Sequence, residues 1–493
     1  MTEPEGPRHP TRQWEAALFE TGIRQFRMAM SMVWGRRFDP DNIARLVADA
    51  LETVAEFGEP GEEARHLTDG PLTDPKAQVS FANSGVKRTA ERLAKESPFY
   101  RERFAAAGVD AAKLDLGGLG AVPVTVKADL IRQPADFLCA GSVRQLATRT
   151  TGTTGAPAEI WLSKYEMDLW PGLGALGAVI RDLLRPTDVM QVNVSSRATA
   201  AVFLDAAVAR LVGAGCRPLG IIPPDEALDN LTGGGATVWV TCPSYLGQVE
   251  IAARRRGLGP ADFRLRRIDV GGEVLSPHLA RAARETFGAP TSDLYGMTEV
   301  IPVTARTCGQ SHLHHDINTG LVEYLDIATG EPAEPGALAT TVVTPFFPYR
   351  ECMPVFRYDT RDLVRRLDTA TLDCELAGLP ATSPILGKAD QLLWLGATDV
   401  VAPRQFVEAI EALPTRPWPA RFRAELRDGR IRLTVPESAI EGFGHAAAVE
   451  HLADHGLDVD LALVSDEAAA DLRPLRCDLR ETTFVGRPAL IGA

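Results

Sequence analysis

Residues 149–161, which read RTTGTTGAPAEIW, have the composition of a phosphate-binding loop. Threonine hydroxyls and glycine backbone N–H groups can surround a polyphosphate without adding a formal charge. No lysine closes the loop, which argues against a kinase or P-loop NTPase, whose loop ends in Lys-Ser or Lys-Thr. A plain surface loop is the alternative, because short motifs recur by chance. The candidate phosphate contacts are Thr150, Thr151, Gly152, Thr153, Thr154 and Gly155.

Two later segments carry residue types that suit a nucleotide. Residues 293–299, DLYGMTE, offer Tyr295 as a flat surface for a base and Glu299 as a carboxylate for Mg²⁺. Residues 356–363, FRYDTRDL, offer Asp362, whose carboxylate can accept hydrogen bonds from two vicinal ribose hydroxyls. The alternatives are that Tyr295 is a core residue at a strand end and that Asp362 forms a surface ion pair.

Strand and helix patterns alternate from residue 188 to residue 288. The runs DVMQVNV, ATVWVTC and LRRIDV read as buried strands, and a helical segment follows each of them. One of these helices is predicted to begin with Ser276 as its N-cap and Pro277 in its first turn. The alternation predicts a parallel sheet covered by helices, with ligands at the carboxyl ends of the strands. Residues 271–273 (GGE) and 293–299 both follow predicted strands at that edge.

The pattern changes in the second half of the chain. After Gly320, short alternating strands predict an antiparallel portion, and the last hundred residues predict a small α+β unit with a hairpin around Asp428 and Gly429. The predicted fold class is therefore α/β, with a large N-terminal domain and a small C-terminal domain. We expect a helical N-terminal extension over 1–75, the large domain over 76–387, and the small domain over 388–493 after a hinge.

Composition limits the class of partner. The chain has 493 residues, 45% of them hydrophobic and 24% charged, which is typical of a soluble protein with more than one core. A net charge of −13 opposes binding to nucleic acid or to an anionic membrane. Seven irregularly spaced cysteines and an N-terminal segment without a signal-peptide pattern predict a reduced, cytoplasmic protein with a small-molecule partner.

The order of the motifs resembles that of the adenylate-forming acyl- and aryl-CoA ligases, and within them the phenylacetate-CoA ligase-like branch. Two earlier segments, ESPFYRERF and VPVTVKADL, resemble N-terminal signatures of that branch, and ILGKADQLLWLGATDVVAPRQFVEAIEAL resembles its hinge region. The resemblance implies activation of an aromatic or related small carboxylic acid by ATP, giving an acyl-adenylate and pyrophosphate. A thiol, coenzyme A before others, then displaces AMP. ATP, Mg²⁺ and coenzyme A are the expected cofactors, and the small domain is expected to be mobile.

The resemblance also assigns roles to single residues. The loop 151–155 would bind pyrophosphate, Thr298 the α-phosphate, Glu299 the Mg²⁺ and Asp362 the ribose. Lys388 stands where the family has an arginine, and Asp390 is the hinge carboxylate. The residues assigned to the adenine and its surroundings are Gly272, Glu273, Tyr295, Gly296 and Met297.

One departure concerns the small domain, where the family carries a catalytic lysine. This chain has seven lysines, and Lys388 is the last of them. Arg487 is the candidate replacement, because it lies near the chain end and a guanidinium binds phosphate oxygens in a bidentate manner. An arginine in a solvated tail, adenylation by the large domain alone, and a pseudoenzyme that only binds ATP are the alternatives. The other arginines of this tail are Arg473, Arg476 and Arg480.

The resemblance places the acid substrate between strand ends. The loop VSSRATA is more polar than this branch usually has, which indicates a hydroxylated or amino-substituted aromatic acid. Arg197 is a candidate partner for a second acidic or phenolic group, with an exposed loop arginine as the alternative. The candidate pocket residues are Ser195, Ser196, Arg197, Thr241, Cys242, Pro243 and Tyr245.

A subset of the branch holds structural zinc in the segment that here reads RTCGQSHLHHD. Zinc takes four nitrogen or sulfur ligands, which Cys308, one histidine of the pair His314 and His315, Cys352 and Cys374 would supply. A histidine-rich surface loop is the alternative. The sequence does not decide whether the acyl acceptor is coenzyme A, a carrier-protein thiol or an amine. It also does not decide between a homodimer and a monomer.

Overall fold

The computed structural model describes residues 36–58, 74–150, 157–195, 199–396 and 399–471. Its α-helices, in chain order, are α1 Pro40–Phe57, α2 Pro75–Glu96, α3 Pro98–Ala106, α4 Lys127–Arg132, α5 Lys164–Ile180, α6 Thr199–Val212, α7 Pro224–Gly233, α8 Pro243–Arg255, α9 Pro277–Phe287, α10 Pro403–Glu411 and α11 His445–Asp454.

Its strands are β1 Arg144–Arg149, β2 Glu159–Ser163, β3 Val189–Asn193, β4 Gly215–Pro218, β5 Val238–Thr241, β6 Arg267–Gly271, β7 Thr291–Gly296, β8 Thr304–Thr307, β9 Leu313–His315, β10 Gly320–Asp326, β11 Leu338–Pro345, β12 Tyr358–Arg365, β13 Ala381–Thr382, β14 Gly387–Lys388, β15 Leu393–Trp394, β16 Val400–Val401, β17 Arg423–Arg427, β18 Arg430–Pro436 and β19 Val459–Val464.

The main sheet has the strand order β13-β9-β8-β7-β6-β5-β3-β4. Strands β3 to β7 run parallel, and β8, β9 and β13 continue the sheet in antiparallel fashion. Trp239 and Ile268 point to a core with α7, α8 and α9, whereas Val192 and Val238 point to a second core with α1, α5 and α6. Helices therefore cover both faces, which confirms the predicted parallel, helix-covered sheet.

Local sequence signals set the element ends. Ser276 is the N-cap of α9 and accepts from the Leu279 N–H at 3.0 Å, and Gly288 ends this helix with φ of +74°. Strand β4 ends at Pro218. The backbone N–H groups of Leu219 and Gly220 both donate to the Val192 carbonyl, and Gly220 then turns the chain with φ of +68°.

An antiparallel sheet of order β10-β11-β12-β14 follows the main sheet and leads into the C-terminal unit. In that unit β17 and β18 form the predicted hairpin, whose turn residues Asp428 and Gly429 both have positive φ. Strand β19 pairs parallel with β18, and α10 and α11 cover the sheet over a core that includes Phe406 and Leu433. The expected α/β class with a small α+β unit is confirmed. The exact domain boundaries stay predictions.

The C-terminal unit contacts helices of the main sheet through buried polar groups. The Trp418 indole donates to Glu250 at 2.7 Å, and Arg404 donates to the Leu275 carbonyl at 3.1 Å. Ser276 hydrogen-bonds Glu411, which is 1% exposed. In the described part of the chain, no helix has the length and apolar composition that crossing a bilayer requires.

Candidate active site

A cavity of about 1680 Å³ opens where β3, β5, β6 and β7 end. The carboxyl ends of parallel strands are the usual binding edge of such sheets. Many of the residues singled out in the sequence line this one cavity, although they are up to 240 positions apart in the chain. They are Thr150, Ser195, Thr241, Cys242, Gly272, Glu273, Tyr295, Gly296, Met297, Thr298, Glu299, Asp362, Lys388 and Asp390.

Two glycines shape the edge of the cavity after β6. A Cβ on Gly271 would lie 2.7 Å from the Leu294 carbonyl oxygen, and Gly272 has φ of +80°. Neither position accepts a side chain without moving the backbone. The next residue, Glu273, accepts a hydrogen bond from the Ser244 N–H at 2.8 Å in the first turn of α8. The carboxylate of Glu273 therefore anchors this edge, while its backbone borders the cavity.

Asp362 is the centre of a hydrogen-bonded group on one wall of the cavity. It pairs across strands with Lys388, whose ammonium lies 2.8 Å from Asp362 Oδ1 and 3.0 Å from the Thr360 carbonyl oxygen. The Tyr295 hydroxyl donates to Asp362 Oδ2 at 3.0 Å. Burial first, and then the Asp362 carboxylate, raise the pKa of Tyr295 well above its ordinary value, so the phenol stays a donor. These contacts fix the carboxylate while leaving lone pairs for a ligand hydroxyl.

The predicted hinge begins directly beside this group. Asp390 lies in the 3₁₀ turn Ala389–Gln391 and accepts from Arg361 Nε at 3.1 Å. Arg361 has φ of +60° and its backbone N–H donates to Asp359 at 2.9 Å. The ion pairs Arg361–Asp390 and Asp362–Lys388 therefore connect β12 to the segment that leads into the C-terminal unit.

Glu299 lies deep in the cavity wall and is only 3% exposed. Its Oε1 atom accepts from the Tyr358 hydroxyl at 3.3 Å. Burial first, and then the charge of Glu299, raise the pKa of Tyr358 well above its ordinary value. Tyr358 is thus a neutral donor that orients the carboxylate. A buried carboxylate of this kind needs a cation in its surroundings.

Lys127 is a cation beside Glu299 that the sequence analysis missed. It is the first residue of α4 and lines the cavity. Burial lowers the pKa of Lys127 and Lys388 lowers it further, whereas the Glu299 carboxylate opposes both effects. Lys127 is inside the motif VPVTVKADL, and the chain has only seven lysines. The presence of one of these few lysines inside a recognised motif was the signal that could have identified Lys127 as a site residue.

Comparison with known proteins agrees with this geometry. Residues 149–336 match the family model described as AMP-binding enzyme. The phenylacetate-coenzyme A ligase of Thermus thermophilus is 26% identical over 398 residues, covering 76% of this chain and 85% of the relative. The enzyme of the same name from Pseudomonas putida is 25% identical over 363 residues, covering 70% and 79%.

These matches support the predicted resemblance to the adenylate-forming enzymes and, within them, to the phenylacetate-CoA ligase-like branch. A crystal structure of 2-hydroxyisobutyryl-CoA ligase in the postadenylation state is similar to this adenylate-forming enzyme with a TM-score of 0.69 and 18% identity, covering 84% of this chain and 91% of that one. An open conformation of the same ligase gives 0.61. These structures support the fold. The predicted family, the predicted fold and the prediction of an AMP-forming acid–thiol ligase are confirmed at that level.

Some predicted residues lie away from the cavity of this adenylate-forming enzyme. Pro243 begins α8 and is buried, and Tyr245 is 2% exposed in the core between α7, α8 and α9. The Tyr245 hydroxyl donates to the Ile222 carbonyl at 2.5 Å. Only the preceding residues Thr241 and Cys242 reach the cavity, because the helix that starts at Pro243 turns the following side chains into the core. Pro243 and Tyr245 are therefore packing residues.

Other predicted residues are outside the described part of the chain. These are Thr151, Gly152, Thr153, Thr154, Gly155, Ser196, Arg197, Arg473, Arg476, Arg480 and Arg487. The base of the Thr/Gly loop is described: the Thr150 N–H donates to the Ala158 carbonyl at 3.0 Å, and the Ala158 N–H donates to Thr150 Oγ1 at 3.0 Å. Thr150 and Ala158 thus extend the pairing of β1 with β2 by one residue pair, and Thr150 lines the cavity.

A second group of side chains has the composition of a zinc site. The ligand atoms of Cys308, His312, His314 and Cys374 all lie within 4.8 Å of one another. The His314 Nε2 atom is 3.3 Å from Cys374 Sγ, and the buried His312 Nδ1 has no hydrogen-bond partner among the described residues. A tetrahedral zinc with Zn–S of about 2.3 Å and Zn–N of about 2.0 Å would hold such atoms a little closer together. Two thiols and two imidazoles fit this metal.

This group corrects the predicted ligand set. His315 follows His314 on β9, and successive strand residues point to opposite faces. His315 therefore points away from Cys374, and its Nδ1 atom forms a hydrogen bond of 2.9 Å with the Tyr324 hydroxyl. Cys352 lies elsewhere, where its backbone contacts Cys139 and Glu166. His312 takes the place of Cys352 in the group. Cys308, His312 and His314 lie close together in the sequence CGQSHLH, so the sequence already contained the signal for this set.

We expect the purified protein to hold about one zinc per chain and Cys374→Ser to reduce this at least about tenfold, because loss of one thiolate leaves three ligands. Elemental analysis after gel filtration measures the content. Cys352→Ser is the matched control and should retain the metal. Loss of zinc in Cys352→Ser with retention in Cys374→Ser would contradict the ligand set, as would zinc-free parent protein.

We expect Asp362→Asn to raise the KM for ATP about tenfold with a smaller change in kcat, because a neutral amide accepts more weakly from ribose hydroxyls and no longer pairs with Lys388. Steady-state kinetics with ATP and with 3′-deoxy-ATP measure the effect. The parent should discriminate against the deoxy nucleotide more than the variant does. Asp168→Asn, at an exposed residue that pairs with Lys164, is the control. Equal discrimination by both enzymes would exclude Asp362 from the ribose site.

Proposed function

We propose that the protein activates an aromatic or related small carboxylic acid with ATP as an acyl-adenylate and transfers the acyl group to the thiol of coenzyme A. The observation that carries the proposal is the convergence of Asp362, Tyr295, Glu299 and Lys127 on one cavity. A nucleoside triphosphate requires an acceptor for its ribose hydroxyls, an aromatic surface for its base, a carboxylate for its Mg²⁺ and an ammonium group for its phosphates.

The far end of the same cavity supports a carboxylic acid with an apolar body. Its walls there come from α5, α6 and β5 and include Leu173, Gly174, Leu204, Val208 and Val240. Small and aliphatic side chains on facing helices leave room for a ring or a short chain. The nucleotide end and the apolar end are continuous, so an acid can meet the α-phosphate without leaving the protein.

In the first step the carboxylate oxygen forms a bond to the α-phosphorus, and the bond from that phosphorus to the pyrophosphate oxygen breaks. Negative charge increases on the departing pyrophosphate and must be met by fixed positive charge. Lys127 is the described lysine beside Glu299 that can supply it, and Thr298 borders the same space. Catalysis is then positioning and charge neutralisation, without a covalent enzyme intermediate.

Glu299 is the residue that would hold a magnesium ion. A buried carboxylate oxygen is a hard ligand of the type that Mg²⁺ prefers, and among the described residues no side chain donates to the second oxygen of Glu299. Bound Mg²⁺ neutralises charge on the triphosphate. The protein's own contribution is to hold this carboxylate near Lys127, so that a bound cation and the ammonium group would neutralise the triphosphate together.

The test is a product screen by mass spectrometry with ATP, Mg²⁺, a panel of aryl and arylacetic acids, and coenzyme A, an amine or a carrier-protein thiol as acceptor. We expect acyl-adenylate and AMP with at least one acid, and a thioester in the coenzyme A arm. An amide in the amine arm without thioester would replace the second step. ATP binding without adenylate from any acid would favour the ATP-binding scaffold, whose motivation is the lack of lysine after Lys388.

A further inference from the structure

Asp205 is an acidic residue in the cavity that the proposed mechanism does not use. It lies on α6 and lines the cavity among the apolar side chains Leu204, Val208 and Val240. Protein surrounds its carboxylate on the other sides, and burial first and the neighbouring Asp269 second raise the pKa of Asp205 to about 7. A carboxylate in such surroundings normally has a cation or several donors.

Within the described residues, Asp205 has no hydrogen-bond donor and no ion-pair partner. Asp269 is different, because Arg267 of the same strand face donates to both of its oxygens, at 3.0 and 3.1 Å from Nε. Asp205 and Asp269 both line the cavity, and of these two only Asp269 has a guanidinium partner among the described residues. Asp205 is the carboxyl group of the two without a counter-charge among the described residues, and it lines the space available to a ligand.

Asp205 lies below the strand ends that border the cavity. Asp269 precedes the last residue of β6, Gly271, by two positions, which places it about 7 Å below the strand end at a rise of about 3.3 Å per residue. Asp205 is six residues into α6, about 9 Å along the helix at 1.5 Å per residue. The phosphate-facing residues are at the strand ends. Asp205 and Asp269 therefore lie below the strand ends, on the side of the cavity away from the phosphate-facing residues.

We propose that the acid substrate carries a protonated aliphatic amine at the end remote from its carboxylate, and that Asp205 binds this ammonium group. The assignment rests on the proposed function and adds its substrate class. An ammonium group would supply the missing positive charge, and the aliphatic walls would accept the carbon skeleton. Asp205 is then the residue that discriminates between cationic and neutral acids.

The test compares 4-(aminomethyl)phenylacetate with its neutral analogue of similar shape, 4-ethylphenylacetate, in the adenylation half-reaction. We expect the parent to favour the amine at least about tenfold in kcat/KM and Asp205→Asn to lose that preference while still using the neutral acid. Asp225→Asn, at an exposed residue that pairs with Arg255, is the matched control and should behave like the parent.

Calorimetry with ATP shows whether the Asp205→Asn variant is folded. Equal use of both acids by the parent would overturn the inference, as would an unchanged preference in Asp205→Asn. A variant that binds ATP but uses neither acid would also overturn it, because Asp205 would then act on every substrate. Parent protein that binds ATP and forms no adenylate from any acid would overturn the proposed function itself, a result distinct from loss of amine preference alone.

Discussion

Lys127→Met is expected to slow acyl-adenylate formation about a hundredfold, equivalent to ~2.7 kcal/mol of transition-state stabilisation. The methionine keeps most of the length and removes the charge. The reason for the size of the effect is that Lys127 and Lys388 are the lysines that line the described cavity, and Lys388 is already paired with Asp362. Single-turnover measurement of adenylate from ATP and acid gives the rate.

Two controls separate the charge of Lys127 from its packing. Lys127→Arg should recover part of the rate, and Lys164→Met, at an exposed lysine that pairs with Asp168, should leave it unchanged. Transfer from a supplied acyl-adenylate to coenzyme A should stay close to the parent rate in all three. If Lys127→Met adenylates normally while Arg487→Ala does not, the cation comes from the C-terminal tail and our assignment of Lys127 is wrong.

Glu299→Gln is the second change with a large expected effect, again about a hundredfold on adenylate formation. The amide keeps the shape and the acceptor for Tyr358 but removes the negative charge that a divalent ion and Lys127 both require. ATP binding measured by calorimetry should lose most of its dependence on Mg²⁺ in the variant. This readout does not depend on turnover.

The control for Glu299 is Glu91→Gln, which changes an exposed carboxylate 4.0 Å from Lys87. It should keep both the rate and the Mg²⁺ dependence of ATP binding. An unchanged adenylation rate in Glu299→Gln at saturating Mg²⁺ would remove Glu299 from the site. A lost rate with full Mg²⁺ dependence would instead make it a residue that positions Lys127.

The scaffold of the site was predictable because its signals are local. Buried strands such as β5 and β6 are short Val- and Ile-rich runs, and the cap formed by Ser276 with Pro277 depends on neighbours three residues apart. Order along the chain was enough to collect Tyr295, Glu299 and Asp362 into one prediction, and they line one cavity.

The parts that failed depend on which way a side chain points. The sequence contains a histidine pair, but the alternation of β9 sends only His314 to Cys374, and His312 joins from the preceding turn. Tyr245 was assigned to the pocket, yet the helix that begins two residues earlier rotates it into the core. Lys127 reaches Glu299 across more than 170 positions, a contact that no local pattern encodes.

Lys388 has a consequence for motion, because it stands at the predicted hinge and is ion-paired to Asp362. A ribose hydroxyl bound to Asp362 would share this carboxylate with Lys388, so nucleotide occupancy and hinge position would become linked equilibria. Linkage is reciprocal, so any hinge position that stretches the 2.8 Å pair must change nucleotide affinity by the same factor that the nucleotide changes the hinge equilibrium. We expect Lys388→Met to weaken this coupling, measured by energy transfer between dyes on the two domains with and without ATP. Equal ATP-dependent transfer in parent and variant would show that the hinge moves independently of this carboxylate.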